Sequence, residues 1–212
     1  MENRTASVER VTKETKIRMT LNLDGTGKSD IHTGIGFFDH MLDGFARHGL
    51  FDLSVSVDGD LDVDGHHTIE DTGIVLGTAI REAVGDKQGI RRYGDRILPV
   101  GDKTGIKRFG HMILPMDETL VLSAVDLCGR PYLSFQAEFT REKVGEMETE
   151  MVKEFFYAVS YAAQMNLHIK VLDGGNNHHI IEAMFKAFAK ALDEATSFDP
   201  RIAGVLSTKG SL

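Results

Sequence analysis

A five-residue cluster occurs twice, and its two copies set the terms for the whole chain. His66-His67-Thr68-Ile69-Glu70 reads HHxxE, and His178-His179-Ile180-Ile181-Glu182 reads HHxxE again, 112 positions later (178 − 66). Each copy opens a stretch of helical periodicity. On a helix the first His and the Glu are i,i+4, and the second His and the Glu are i,i+3, so all three crowd one end of a face. Adjacent histidines point about 100° apart on a helix. One metal cannot easily take both, but two metals can take one each. Imidazole and carboxylate without thiolate suit Mn, Fe, Co, Ni or Zn. A solvated surface face is the usual reading of a single HH pair, but not of two copies that each follow a strand-like run and a turn. The pattern therefore implies a two-metal protein built from two related halves.

The elements around the clusters repeat in the same order. In the first half, Arg10–Leu23 alternates polar and apolar as a strand does, and Asp24–Gly27 is a turn across which Ser29–Thr33 can pair back. Phe37–Arg47 has helical spacing, Phe51–Val57 alternates again, Asp58–Gly65 is an acidic loop, and Thr68–Ala83 is a helix. In the second half, Thr119–Leu127 and Tyr132–Phe139 read as strands and Glu148–Gln164 as an amphipathic helix. Asn166–Leu172 is a strand and Asn177–Thr196 a helix. The expected fold is α+β, with two similar halves of strand-strand-helix-strand-helix whose apolar faces share one core. Equivalent helices carry His40 and Glu154, and symmetry predicts that His40 joins His66 and His67 while Glu154 joins His178 and His179.

A second repeat lies between the halves. Gly85–Val100 and Gly101–Met116 are adjacent 16-residue units with ten identical positions, which marks a tandem duplication. The chain thus divides into 1–84, a linking segment 85–116, and 117–212, within one integrated domain. An added loop of this kind carries a closure cost that grows only logarithmically with length. It supplies two equivalent arginines, Arg92 and Arg108.

Composition narrows the function. Net charge is −8, from 24 Lys+Arg against 32 Asp+Glu, which argues against a nucleic-acid partner. The single Cys128 precludes an internal disulfide and sits in an apolar run, so packing is its default role. No apolar run of membrane-spanning length occurs, and the first residues lack the apolar core of a secretory signal, so a cytoplasmic location is expected.

Several motifs together resemble one enzyme family. GFFDHML at 36–42, GHHTIED at 65–71, GRPY at 129–132, LHI at 167–169, HHIIEAMFKAFAKAL at 178–192 and STKG at 207–210 are similar to imidazoleglycerol-phosphate dehydratase, in the family's order and over nearly the whole chain. The resemblance implies helices sandwiched between two β-sheets, and loss of water from D-erythro-imidazole-glycerol phosphate to give imidazole-acetol phosphate, a step of histidine biosynthesis. It implies two Mn²⁺ per site and a 24-subunit shell with sites at interfaces. One metal would take His66, Glu154, His178 and Glu182, the other His40, His67, Glu70 and His179. Many relatives carry His at the position of Glu154.

The resemblance also assigns the substrate's phosphate to Arg130, to Lys209 with Ser207, and to the arginine of the duplicated motif, Arg92 or Arg108. Guanidinium and ammonium groups suit phosphate oxygens through charge-assisted bonds. Glu14, Asp117 and Lys186 match further substrate-contacting positions. Glu14, Glu182 and His67 are the candidate catalytic groups, with a carboxylate moving the proton and the metals stabilising an imidazolate that expels hydroxide. The alternatives are a dinuclear metallohydrolase, a metal-storage shell, and a family member impaired by the duplication.

Overall fold

The structure, a computed structural model, describes residues 4–87, 109–199, 201–202 and 204–207. Two four-stranded sheets carry the fold. The first half forms β1 (Thr5–Val11), β2 (Thr15–Asn22), β3 (Ser29–His32), α1 (Gly36–Gly49), β4 (Asp52–Gly59) and α2 (His66–Val84). The second forms β5 (Phe109–Met116), β6 (Thr119–Asp126), β7 (Tyr132–Gln136), the small hairpin β8 (Lys143–Val144) and β9 (Met147–Glu148), α3 (Met151–Ala162), β10 (Asn166–Asp173) and α4 (Asn177–Thr196). The sheet orders β1-β2-β4-β3 and β5-β6-β10-β7 are the same order written twice.

The strands obey period-2 patterning with one face buried. In β2, Thr15, Ile17, Met19 and Leu21 are buried while Lys16, Arg18 and Thr20 are exposed. In β6 the buried set is Thr119, Val121, Ser123 and Val125. Each four-stranded sheet has one strand more than the sequence reading counted, and the second half adds the β8–β9 hairpin. The run Arg10–Leu23 holds the end of β1 and all of β2, separated by a turn in which Thr12 and Thr15 exchange hydrogen bonds. β1 escapes the apolar pattern because it is an edge strand in which only Ala6 is buried. β5 lies inside the segment read as the duplicated linker, and it too is an edge strand, where Pro115 is tolerated. β3 does not pair back on β2; it runs parallel to β4, with α1 as the crossover.

The helices fill the space between the sheets. α1 and α2 lie on the first sheet, α3 and α4 on the second, and α1 meets α4 while α2 meets α3. The centre is aromatic. Phe155 and Phe185 stack at 5.0 Å, Phe45 and Phe188 at 5.5 Å, and Phe38 meets Phe155 edge-on at 5.4 Å. Each such side chain, fully buried, contributes about 1.5–3 kcal/mol.

The α2–α3 contact depends on two glycines one turn apart. A Cβ on Gly73 would lie 2.8 Å from the Phe155 carbonyl oxygen, and one on Gly77 2.5 Å from that of Val159. In an open helix Gly→Ala gains roughly 1 kcal/mol. Here the obstacle is backbone, which cannot swing aside, so Gly77→Ala is expected to destabilise the chain by about 1–3 kcal/mol. Thermal unfolding checks it; an unchanged or raised midpoint would show that the two helices part without cost.

Candidate metal centre

Both clusters stand at helix N-termini. Asn176 caps α4, its side-chain oxygen accepting from the His178 backbone N–H at 2.9 Å. This cap fixes the turn that carries His178 and His179. The two imidazoles of each pair diverge as helix geometry requires, with ring planes 73° apart for His66 and His67 and 86° apart for His178 and His179.

His40 of α1 joins the α4 cluster. His178 Nε2 lies 3.4 Å from Glu182 Oε2, and His40 Nε2 lies 3.9 Å from Glu182 Oε1. One donor atom from each of the three residues fits within 4.8 Å of the others. This is an imidazole–imidazole–carboxylate set that suits a divalent transition metal. Lys186 Nζ contacts Glu182 Oε1 at 2.7 Å. Burial alone would raise the Glu182 carboxyl, but Lys186, with His40 and His178, holds it below the usual range.

The α2 cluster enters no group of three candidate ligands among the described residues. His66 Nε2 lies 3.6 Å from Glu70 Oε2. Glu154, half-buried on the first turn of α3, shares the neighbourhood of Tyr157 with Glu70. Within a single chain, the described residues do not make the pairings that symmetry predicts. His40 stands with His178 and Glu182, and Glu154 with the α2 cluster, because the helices pack across the halves (α1 on α4, α2 on α3). Among the described residues, no ion pair or ring contact joins the α2 histidines to those of α4.

The second histidine of each pair has a carboxylate at both nitrogens. His67 Nδ1 is 2.9 Å from Asp60 Oδ2 and its Nε2 is 3.8 Å from Glu14 Oε1. His179 Nδ1 is 3.0 Å from Glu118 Oε2 and its Nε2 is 3.9 Å from Asp117 Oδ2. The Asp60 hydrogen bond raises His67, and that of Glu118 raises His179. Glu118 is itself lowered to about 2, first by the Asn176 backbone N–H and then by His179. Sequence reasoning singled out Glu14 and Asp117 but missed Asp60 and Glu118. Their positions, seven before His67 and next to Asp117, were the available signal.

Of the phosphate candidates, Arg130 follows β6 in an exposed turn, with its carbonyl accepting from Asn166 Nδ2 at 2.7 Å. Its guanidinium makes no ion pair among the described residues. Ser207 is described, whereas Arg92, Arg108 and Lys209 lie outside the described residues. A polar cleft of about 580 Å³ opens beside His178, lined in part by Thr140, Arg141, Lys143 and Asn177. Cys128 is buried, as packing requires. No described helix is long and apolar enough to cross a membrane.

Comparison with known proteins places the chain by sequence and fold. The family described as imidazoleglycerol-phosphate dehydratase matches residues 33–102 and 99–192. The two stretches overlap within the tandem repeat. The imidazoleglycerol-phosphate dehydratase of Lachnoclostridium phytofermentans is 64% identical over 210 residues, 99% of each chain. That of Acetivibrio thermocellus is 57% identical over 99% of this chain and 100% of its own. The crystal structure of the Staphylococcus aureus enzyme superposes with a TM-score of 0.77 at 39% identity, covering 92% of this chain and 99% of that one. The Pyrococcus furiosus enzyme superposes with a TM-score of 0.76 at 34% identity, covering 97% and 100%.

Proposed function

Since the chain belongs to the imidazoleglycerol-phosphate dehydratase family, a metal-dependent hydro-lyase family of histidine biosynthesis, we propose that it converts D-erythro-imidazole-glycerol phosphate to imidazole-acetol phosphate with two Mn²⁺ ions per site. The observation that carries this reading is the pair of HHxxE clusters at the starts of α2 and α4, each with carboxylates in reach. By the family resemblance one ion would be held by His66, Glu154, His178 and Glu182, and the other by His40, His67, Glu70 and His179, although within one chain His40 stands beside His178 and Glu182. Bound there, the ions supply Lewis-acid charge to the substrate's imidazole ring.

The protein's own groups do the rest. Glu182, ion-paired with Lys186 and held below the usual carboxylate range, stays ionised and serves as a ligand. Glu14, half-exposed and 3.8 Å from His67 Nε2, is the carboxylate free to move a proton. Arg130, Ser207 and Lys209 grip the phosphate, with Asp117 and Lys186 as further substrate contacts. The ligand sets each mix the α2/α3 cluster with the α1/α4 cluster. The separation of these clusters within one chain supports sites completed between subunits, as in a 24-subunit shell. Exposed Leu61 and Val63, on the loop before α2, and Tyr157 and Tyr161 on α3 offer apolar surface for such contacts. A cytoplasmic location fits this role.

The test is a dehydration assay on chelator-treated protein with Mn²⁺ restored. Formation of the ketone product with the phosphate retained is expected. Release of phosphate instead would make the chain a metallohydrolase, and Mn²⁺ binding without turnover would make it an impaired member.

The duplication calls for its own measurement. Arg108 is expected to be the phosphate-binding copy, because its repeat runs directly into the strand that ends at Met116 and so fixes its register to Asp117. Arg108→Ala should raise KM for the phosphorylated substrate, Arg92→Ala should not, and deletion of residues 85–100 should keep activity. The opposite pattern would make the first copy the working one.

A further inference from the structure

His67 and His179 are the second members of their pairs, and each has its Nδ1 taken by a carboxylate that no sequence motif picked out. The carboxylates come from different places in the two halves. Asp60 sits in the loop after β4, whereas Glu118 sits in the β5–β6 turn. By contrast Glu14 and Asp117, which face the two Nε2 atoms, occupy corresponding turns, β1–β2 and β5–β6. Common descent of the halves explains the second pair of contacts and not the first. Two unrelated backbone positions deliver a carboxylate to the same ring nitrogen.

Stability does not account for this either. Partly exposed ion pairs of this kind contribute little. Among the described residues His66 and His178 make no such bond, and each faces the glutamate of its own helix through Nε2.

We propose that Asp60 and Glu118 are positioning residues: they accept the Nδ1–H of His67 and His179, fix that tautomer and ring orientation, and leave both Nε2 atoms to one metal ion, which is therefore bound more tightly than the other. This rests on the reading above that His67 and His179 are ligands of the same ion. A carboxylate behind a ligating imidazole orients the ring and makes the metal-binding nitrogen more basic, and its loss costs about 10–100-fold in affinity.

Asp60 gives the clean test. Its carboxylate is bonded to His67 alone among the described residues. Glu118 also accepts the Asn176 N–H at 2.9 Å and so helps to hold the start of α4. The experiment is a titration of chelator-treated full-length protein with Mn²⁺, reading free Mn²⁺ by electron paramagnetic resonance. The unaltered protein should show a tight and a weak step. Asp60→Ala should weaken the tight step about 10–100-fold and leave the weak step in place. Asp60→Asn, whose carbonyl can still accept from Nδ1–H, should restore most of the loss. Asp60→Ser, too short to reach the ring, repeats the loss if the alanine variant folds poorly.

Unchanged binding in both Asp60→Ala and Asp60→Ser, with one ion lost in His67→Ala, would overturn the positioning role alone. Asp60→Asn as weak as Asp60→Ala would overturn it too, by showing that charge and not orientation matters. Two ions retained in His67→Ala would instead sink the ligand reading beneath it.

Discussion

Replacing His67 or His179 by alanine is expected to leave one metal ion per site and to lower turnover about a thousandfold or more. Each ring faces carboxylates through both nitrogens, at 2.9 and 3.8 Å for His67 and 3.0 and 3.9 Å for His179. Neither is in a packing position that would explain its presence, for both remain partly exposed. Lewis-acid stabilisation supplies several kcal/mol, and each tenfold in rate is about 1.4 kcal/mol. Loss of one ion therefore accounts for about three decades. Cys128→Ala, in contrast, changes a buried thiol whose contact is the Arg130 carbonyl at 3.5 Å, and activity should survive it. Metal content and rate, measured on the same samples, decide the matter. Two full ions in His67→Ala would contradict the ligand assignment.

Stripping the metal should abolish turnover and loosen the assembly together. Among the described residues no group of three candidate ligands combines the α2/α3 and α1/α4 clusters, so on the proposed ligand sets an ion that draws on both would tie subunits to each other. Metal bound only by the folded, assembled state stabilises it by about 2.7 kcal/mol at a hundred times its dissociation constant. The melting temperature should fall with chelator and recover with Mn²⁺. Solution mass should fall in parallel, and a large particle that persists without metal would break the link between binding and assembly.

Much of this architecture was readable from residues alone. The apolar periodicity of α1, α2 and α4 is strong, because each helix buries a broad face between two layers; α4 matches its sequence reading at Asn177–Thr196. The edge strands β1 and β5 were not readable as separate strands, since an edge buries few side chains and leaves little alternation. The candidate ligands of the two helix starts were legible because HHxxE is local. Their neighbours were not. That His40 meets Glu182, and that Asp60 and Glu118 stand behind His67 and His179, depends on how helices and turns pack across long sequence separations. Spacing within one element cannot encode that.

The crosswise packing of the helices has a consequence for how such a chain is put together. Under the internal two-fold relation α1 corresponds to α3 and α2 to α4, so the α1–α4 and α2–α3 contacts are a single contact made twice. A polypeptide holding only one half would present an uncovered layer of two helices, and in this chain the surface that covers it is the other half. Severed between α2 and β5, its fragments should be insoluble apart and should refold into an active particle only when mixed.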